Sequence, residues 1–323
     1  MDRKKMSELI GKIVRDKNVW STFSRNGIRN VRKHYSWRSH VKVYLTTLMK
    51  ETKKKYYRRN LLIKTKSRLP MVDRLIISDI DNTLIGDAAG LNNFLNALKR
   101  SHTNVGFGIA TGRRLESAVK ILQRSKVQMP DIFITAVGSE INYGKALVED
   151  RTWKHHLNYF WEPDRVREVL SELKGLELQE QSEQRRYKIS YNLDSNNALS
   201  RRLIVKHLRK QKIRVKVIYS HNKYLDILPI RASKGLAVRY LAIKWGLPPE
   251  RILVAGDSGN DEEMLSGDVL GVVVGNYSPE LKRLRGKPRI YFAKDSYAHG
   301  IIEGIEHYQF FGDIKINEEV EVD

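Results

Sequence analysis

The chain has 323 residues, of which 41% are hydrophobic, which is enough for two compact domains or for one domain with a large insertion. It contains no cysteine, so disulfides and thiolate metal sites are excluded. Because no apolar run could cross a membrane and the basic N-terminus lacks a signal-peptide core, we expect a cytoplasmic protein.

The formal net charge of +22 is concentrated in a leader, residues 1–70. This leader holds 21 Lys and Arg against four Asp and Glu, whereas the rest of the chain is nearly balanced. Apolar residues at helical spacing predict helices over 5–15 and 20–32 and a third that begins near Ser36, and a charge run over 53–59 indicates a linker. Basic helices can bind nucleic acid or anionic membranes, but solvated helices account for the same pattern, so neither partner is expected.

Residues 71–150 alternate between short apolar runs and helical patterns, which predicts a parallel, doubly wound sheet. Strands are predicted over 74–79, 105–110 and 131–136, with helices over 90–101 and 114–125.

The pattern changes between residues 151 and 228, where it favours an α+β insertion. There the predicted elements are a helix over 163–174, strands over 176–180 and 186–192, a helix over 198–210 and strands over 213–219 and 223–228. The first pattern then resumes, with a helix over 234–245, a strand over 251–255, a helix over 260–266, a strand over 270–274 and a closing helix over 298–308.

Two carboxylates, Asp79 and Asp81, follow the first predicted strand. Residues i and i+2 of a strand share a face, and ligands of open α/β sheets bind beyond the carboxyl ends of the strands. Carboxylates this close are costly unless a cation or a phosphoryl group lies between them.

Three further segments follow at the predicted ends of later elements. Thr111, Gly112 and Arg113 follow the second strand, Lys234 begins a helix, and the segment 256–261 (GDSGND) follows the strand over 251–255. Each would be unremarkable alone, as a turn, a solvated lysine or a helix cap. The order of these segments and their positions at the ends of elements together form a specific set of motifs.

These four segments resemble the motifs of the haloacid dehalogenase superfamily of aspartate-nucleophile phosphohydrolases. The sucrose-phosphate phosphatase branch is similar over roughly residues 71–312. The segments that carry this closer resemblance are 137–141 (VGSEI), 188–191 (KISY), 225–229 (LDILP) and 297–300 (YAHG). The resemblance implies a Rossmann-like phosphatase core (71–150 and 229–323) with an inserted α+β cap domain (151–228).

The resemblance also implies Mg2+-dependent hydrolysis of sucrose-6-phosphate through an aspartyl-phosphate. Asp79 would be the nucleophile and Asp81 the general acid and base, while Thr111, Gly112 and Lys234 would bind the phosphoryl group. The metal would be held by three groups: Asp79, Asp257 and the backbone carbonyl of Asp81.

Supporting roles are expected for residues around these. Asp261, Ser258 and Asn260 would lie in the outer shell of the metal, although Asp261 and Asn260 could simply cap the following helix and Ser258 could be only a turn residue. The candidates for substrate binding are Gly112, Arg113, Glu140, Asn142 and Lys188. A salt bridge is an equal alternative for Arg113.

The leader has a resemblance of its own. Residues 20–31 and 34–45 resemble the tail of the glycosyltransferase domain of sucrose-phosphate synthases, so the chain is expected to be part of a bifunctional enzyme or to associate with a synthase domain or chain. Two other functional hypotheses remain open. One is a phosphatase for another sugar phosphate, such as mannosylfructose phosphate, and the other is a non-catalytic domain that binds sugar phosphate or synthase.

Overall fold

A computed structural model describes residues 3–35, 41, 44–47, 72–101, 104–193, 200–220 and 223–312. The chain forms two compact units, Met1–Arg68 and Leu69–Asp323. Most of the predicted third leader helix and all of the predicted linker lie outside the described residues.

The described part of the first unit consists of helices α1 (Arg3–Arg15) and α2 (Lys17–Asn30), followed by a π-helical turn (Val31–Tyr35). Asp16 caps α2 by accepting hydrogen bonds from the backbone N–H groups of Asn18 and Val19. Both predicted helices are confirmed, each with an earlier start. No helix of the described residues is long and apolar enough to span a bilayer. The cytoplasmic location stays a prediction.

The second unit is built on an eight-stranded sheet of order β12-β11-β10-β1-β2-β3-β4-β5. The strands are β1 (Arg74–Ser78), β2 (Val105–Ala110), β3 (Ile132–Thr135), β4 (Glu140–Tyr143), β5 (Val148–Glu149), β10 (Ile252–Gly256), β11 (Leu270–Val273) and β12 (Ile290–Phe292). The predicted doubly wound parallel sheet is confirmed for β12, β11, β10, β1, β2 and β3, and at one edge β4 pairs antiparallel with β3, and β5 with β4. β4 and β5 contain polar residues, and β12 is apolar but only three residues long, so none of them shows the longer buried run that identifies the central strands.

Helices cover both faces of this sheet, as a doubly wound fold requires. Successive residues of β1 point to opposite faces, so Ile77 enters one hydrophobic core and Ile76 the other. The helices of this unit are α3 (Ala88–Arg100), α4 (Leu115–Arg124), α5 (Arg151–Leu157), α6 (Pro163–Ser171), α7 (Arg201–Lys210), α8 (Lys234–Trp245), α9 (Glu262–Leu265) and α10 (Tyr297–His307). Of these, α5 was not predicted.

Between β5 and α8 the chain forms a second, antiparallel sheet of order β6-β7-β9-β8, accompanied by α6 and α7. Its strands are β6 (Leu176–Leu178), β7 (Ile189–Leu193), β8 (Val215–Ser220) and β9 (Tyr224–Pro229). This confirms the predicted α+β insertion as secondary structure. The exact boundaries of a cap domain at 151 and 228 stay a prediction. We refer to the four-stranded sheet with α6 and α7 as the cap.

The register of the central strands determines where the site lies. Ser78 of β1 pairs with Ala255 of β10 and with Ile109 of β2. The three parallel strands therefore end at one edge of the sheet, and the residues that follow them meet there.

Candidate active site

Asp79 and Asp81 lie in the turn that follows β1. The backbone N–H of Asp79 donates to the carbonyl of Ala255 at 2.9 Å, which keeps this residue in register with β10. The turn is anchored by Ile80 and Leu84, which are fully buried. As a result Asp79 is only 5% exposed, whereas the Asp81 side chain is 42% exposed at the mouth of the site.

Lys234 lies beneath the site as a fully buried ammonium group. It stands in the first turn of α8, which Ser233 caps by accepting a hydrogen bond from Leu236 N at 3.0 Å. Its Nζ donates to three oxygens: Asp261 Oδ1 at 2.6 Å, Asp79 Oδ1 at 2.7 Å and Asn260 Oδ1 at 2.7 Å. Because an ammonium has three protons, its hydrogen-bonding capacity is filled.

A tight turn connects the Thr111 loop with the helix that carries Lys234. Val137 N in this turn donates to the carbonyl of Thr111 at 3.0 Å. Gly138 has φ +92°, and a Cβ there would lie 2.2 Å from the carbonyl carbon of Ser233. Only glycine permits this approach, so Gly138 fixes the start of α8 against the Thr111 loop.

A second pair of carboxylates, Asp257 and Asp261, follows β10. Asp261 Oδ2 accepts hydrogen bonds from the backbone N–H groups of Asp257 at 3.2 Å and Ser258 at 3.1 Å. Because its Oδ1 accepts from Lys234, both oxygens of Asp261 are used within the protein. Asp257 is also buried, and its Oδ1 accepts from Thr83 Oγ1 at 3.1 Å.

The site holds more negative charge than Lys234 can balance. Carboxylate oxygens of Asp79, Asp257 and Asp261 lie within 4.8 Å of one another. Burial raises the pKa of Asp79 well above its usual value. Burial, followed by repulsion from Asp261, raises the pKa of Asp257 to about 7. Burial alone would lower the pKa of Lys234, but Asp261 and Asp79 outweigh it and the pKa is raised.

These residues fit a divalent cation. Asp79 Oδ2 and Asp257 Oδ2 make no hydrogen bond within the part of the chain that the structure describes. Both are carboxylate oxygens, the ligand type that Mg2+ and Ca2+ prefer, and a divalent cation would offset the excess negative charge. Asp261 belongs to the same cluster, but its contacts make it the support for Lys234 and for the loop 257–258.

The charge excess predicts an unusual stability profile. In metal-free protein, the raised pKa of Asp257 means that this residue's contribution to stability is fully present below about pH 4 and is lost as pH rises through about 7. We expect Asp257→Asn to raise the thermal unfolding midpoint in EDTA at pH 8 and to change it little at pH 4. Mg2+ should raise the midpoint of the unchanged protein at pH 8 but not that of the variant. Equal dependence of the unfolding midpoint on pH in the two proteins would contradict this expectation. Asp164→Asn, a substitution at an exposed residue, is the control.

Arg113 contacts the candidate acid and base. Its Nε donates to Asp81 Oδ2 and its Nη2 to Asp81 Oδ1, both at 2.7 Å, and Nη1 donates to Ser117 Oγ at 3.1 Å. This pair is bidentate but more than a third exposed, so solvent screens it. The salt bridge expected for Arg113 is therefore present, and because Arg113 also lines the cavity described next, its contact with substrate stays a prediction.

A cavity of about 430 Å³ opens above these groups. Among the predicted site residues it is lined by Asp79, Asp81, Thr111, Gly112, Arg113, Lys188, Asp257, Ser258 and Asn260. Four residues that the sequence analysis did not assign also line it: Gln179, Glu183, Tyr224 and Asp226. These four come from the cap, so the cavity lies between the cap and the edge of the large sheet.

On the cap side, a buried ion pair faces the cavity. Lys188 Nζ lies 3.5 Å from Asp226 Oδ1, which also accepts from Ser190 Oγ at 2.7 Å. A carboxylate within an apolar strand was the available signal for Asp226, because the sequence 225–229 is otherwise apolar.

Glu140 and Asn142 do not line this cavity. Asn142 Nδ2 donates to the carbonyl of Leu147 at 3.0 Å, so its side chain closes the hairpin between β4 and β5. Glu140 accepts from Thr135 Oγ1 at 3.0 Å and lies 3.7 Å from Arg185 Nε. The geometry therefore gives no support to their predicted roles in binding the sugar.

The fold is that of the haloacid dehalogenase-like hydrolases. One solved example, from Bacillus subtilis, is 21% identical with a TM-score of 0.54, covering 78% of this chain and 99% of the other. The solved sucrose-phosphatase from Synechocystis, in complex with sucrose and phosphate, is 35% identical with a TM-score of 0.69. The match covers 74% of this chain and 99% of the other.

The family model for sucrose-6F-phosphate phosphohydrolase matches residues 72–309, so the chain belongs to this family. Sucrose-phosphatase 2 of Nicotiana tabacum is 36% identical over 72% of this chain and 58% of its own length. The chain thus spans less than two thirds of the plant relatives that it matches. Mannosylfructose-phosphate phosphatase of Agrobacterium fabrum is 29% identical over 73% of this chain and 96% of its own length.

Proposed function

We propose that this protein hydrolyses sucrose-6-phosphate to sucrose and phosphate, with Mg2+ as cofactor. The observation that carries the proposal is the buried cluster of Asp79, Asp257 and Lys234 at the floor of a cavity that the cap covers. Membership of the family and the likeness to a sucrose-phosphatase bound to sucrose and phosphate support the choice of substrate.

Asp79 is oriented to act as the nucleophile. Lys234 holds Oδ1, and Oδ2, which makes no hydrogen bond within the described residues, would be free to bind the metal. An oxygen of Asp79 attacks phosphorus in line and the bond to the sugar oxygen breaks, giving an aspartyl-phosphate and the sugar. A bound Mg2+ would neutralise charge on the phosphoryl oxygens. Thr111 and the N–H of Gly112, at the same edge of the sheet, donate hydrogen bonds to those oxygens.

Asp81 serves both proton transfers. It protonates the departing sugar oxygen and then accepts a proton from the water that attacks phosphorus, which regenerates Asp79 and releases phosphate. Arg113 holds both Asp81 oxygens in the structure, so Asp81 can protonate the sugar only after this pair loosens.

Lys188 is positioned to select the sugar. It lies at the cavity on the cap side, opposite the phosphate-binding loop. We expect Lys188→Met to raise KM for sucrose-6-phosphate roughly tenfold or more, since a group that hydrogen-bonds substrate hydroxyls is lost. Turnover of p-nitrophenyl phosphate, which has no sugar, should change little. Steady-state kinetics on both substrates test this, with the exposed Lys154→Met as control; equal losses on both would contradict a role in sugar binding.

A second candidate substrate is mannosylfructose phosphate. The match to nearly the full length of the Agrobacterium mannosylfructose-phosphate phosphatase favours it, because the same core and cap are covered. Phosphate release from a panel of sucrose-6-phosphate, mannosylfructose phosphate, glucose-6-phosphate and fructose-6-phosphate separates the two. We expect the highest kcat/KM for sucrose-6-phosphate, and a higher value for mannosylfructose phosphate would reassign the substrate.

The leader motivates a further part of this proposal, a synthase partner. Its resemblance to a synthase tail supports association with a sucrose-phosphate synthase domain or chain. Co-sedimentation of the full chain with a sucrose-phosphate synthase, compared with a chain that starts at Met71, tests this. Equal binding by both would remove the leader from the association.

A further inference from the structure

The cap carries a second cavity, which we call the cap pocket. It has a volume of about 590 Å³, within the range of small-molecule sites. Its lining consists of Phe160, Glu162, Arg209, Lys212, Ile213 and Arg214. None of these residues lines the candidate active site.

The charges of the cap pocket are unbalanced. Arg209, Lys212 and Arg214 are exposed, and none of them forms an ion pair with a carboxylate of the described residues. The one carboxylate in the lining, Glu162, is paired with Arg165 at 3.0 Å. Three like charges at one concavity repel each other, and a bound polyanion would relieve this repulsion.

The other wall is apolar and includes an aromatic ring. Phe160 is 52% exposed, and the guanidinium of Arg214 lies 5.5 Å from the centre of its ring. Ile213 is buried behind the pocket. An exposed ring beside cations suits a ligand that combines a flat ring with anionic groups.

Two residues beside this pocket have a left-handed backbone, Phe160 with φ 55° and Lys212 with φ 60°. Lys212 adopts this conformation where α7 ends, and its N–H donates to the carbonyl of Arg209 at 3.0 Å. Phe160 and Lys212 stand in separate turns, the first before α6 and the second after α7, and these two turns form the pocket.

We propose that the cap pocket binds a nucleoside diphosphate, with the phosphates on Arg209, Lys212 and Arg214 and the base against Phe160. The ligand would join two parts of the chain. Phe160 lies on the segment by which the chain leaves the large sheet, and Arg214 lies directly before β8 of the cap. Lys216 of β8 is in turn paired with Glu263 of α9 at 2.6 Å. Binding is thus placed to influence the position of the cap.

Calorimetric titration of ADP into the full chain tests the proposal. We expect a dissociation constant of about 1 mM or tighter. The double variant Arg209→Gln/Arg214→Gln should weaken binding at least about tenfold, since it removes two charged contacts. The matched control Arg202→Gln/Lys206→Gln removes the same charge from exposed positions of α7 outside the pocket and should bind as the unchanged chain does.

Two further titrations separate the parts of the ligand. Phe160→Leu should weaken the binding of ADP but not of pyrophosphate, which has no ring. Asp79→Asn should leave ADP binding unchanged, so the result does not depend on the proposed phosphatase activity. No binding of ADP by the folded chain at about 1 mM, or equal binding by the Arg209→Gln/Arg214→Gln variant, would overturn the proposal.

Discussion

Asp79→Asn is expected to abolish phosphate release from sucrose-6-phosphate, with a loss of at least about 10⁴-fold in kcat. The amide has nearly the same shape as the carboxylate but is not nucleophilic and cannot form the aspartyl-phosphate. Its oxygen can still accept from Lys234, so the variant should fold. Stopped assays over hours, with circular dichroism to confirm folding, measure the effect.

Asp164→Asn is the matched control, since Asp164 makes an exposed ion pair with Arg167 far outside the cavity lining. It should retain full activity. If Asp79→Asn kept more than a tenth of the original kcat, the nucleophile would have to be another group, and the role given to Asp79 would be wrong.

Lys234→Met is expected to lower both stability and activity severely. The substitution removes the ammonium but leaves Asp79 and Asp261 buried, and breaking a buried ion pair from one side costs about 3–5 kcal/mol. Activity should fall at least about 10²-fold, because the charge that orients Asp79 and offsets the phosphate is lost. Urea unfolding and steady-state kinetics measure the two effects separately.

The double variant Lys234→Met/Asp261→Asn distinguishes the cause of the lost stability from the cause of the lost activity. Removing one of the two carboxylate charges should recover part of the unfolding free energy, while activity stays low because Asp79 remains without its lysine. Lys154→Met is the control, since this lysine forms an exposed ion pair with Glu149 and does not line the cavity. Full stability in Lys234→Met would contradict the account of the buried charge cluster.

The central part of the fold could be predicted from the sequence because it depends on local pattern. The strand before Asp79 is a buried apolar run, and such runs identify central parallel strands. The edge strands were missed for the opposite reason. β4 contains Glu140 and Asn142, so its pattern is mixed and shows no apolar run, although it pairs with β3 immediately upstream.

The candidate site, like the fold, has a part that could be predicted from the sequence and a part that could not. The placement of Asp79, Lys234 and Asp257 together follows from motif order and strand ends, both of which can be read from the sequence. The pairing of Arg113 with Asp81 could not be predicted from the sequence. The sequence allows either a substrate contact or a salt bridge for Arg113, and the partner in the salt bridge becomes known only in the folded loop. That Gln179 and Tyr224 line the cavity depends on how the cap lies over the sheet edge, which local pattern does not specify.

Release of inorganic phosphate from sucrose-6-phosphate, with the full chain in Mg2+ and in excess EDTA, tests the central claim most directly. We predict sustained multiple turnover in Mg2+ and little or none in EDTA, restored when Mg2+ is added back. Folded protein that binds sucrose-6-phosphate in Mg2+ but releases no phosphate would contradict the account and would favour a non-catalytic sugar-phosphate-binding domain.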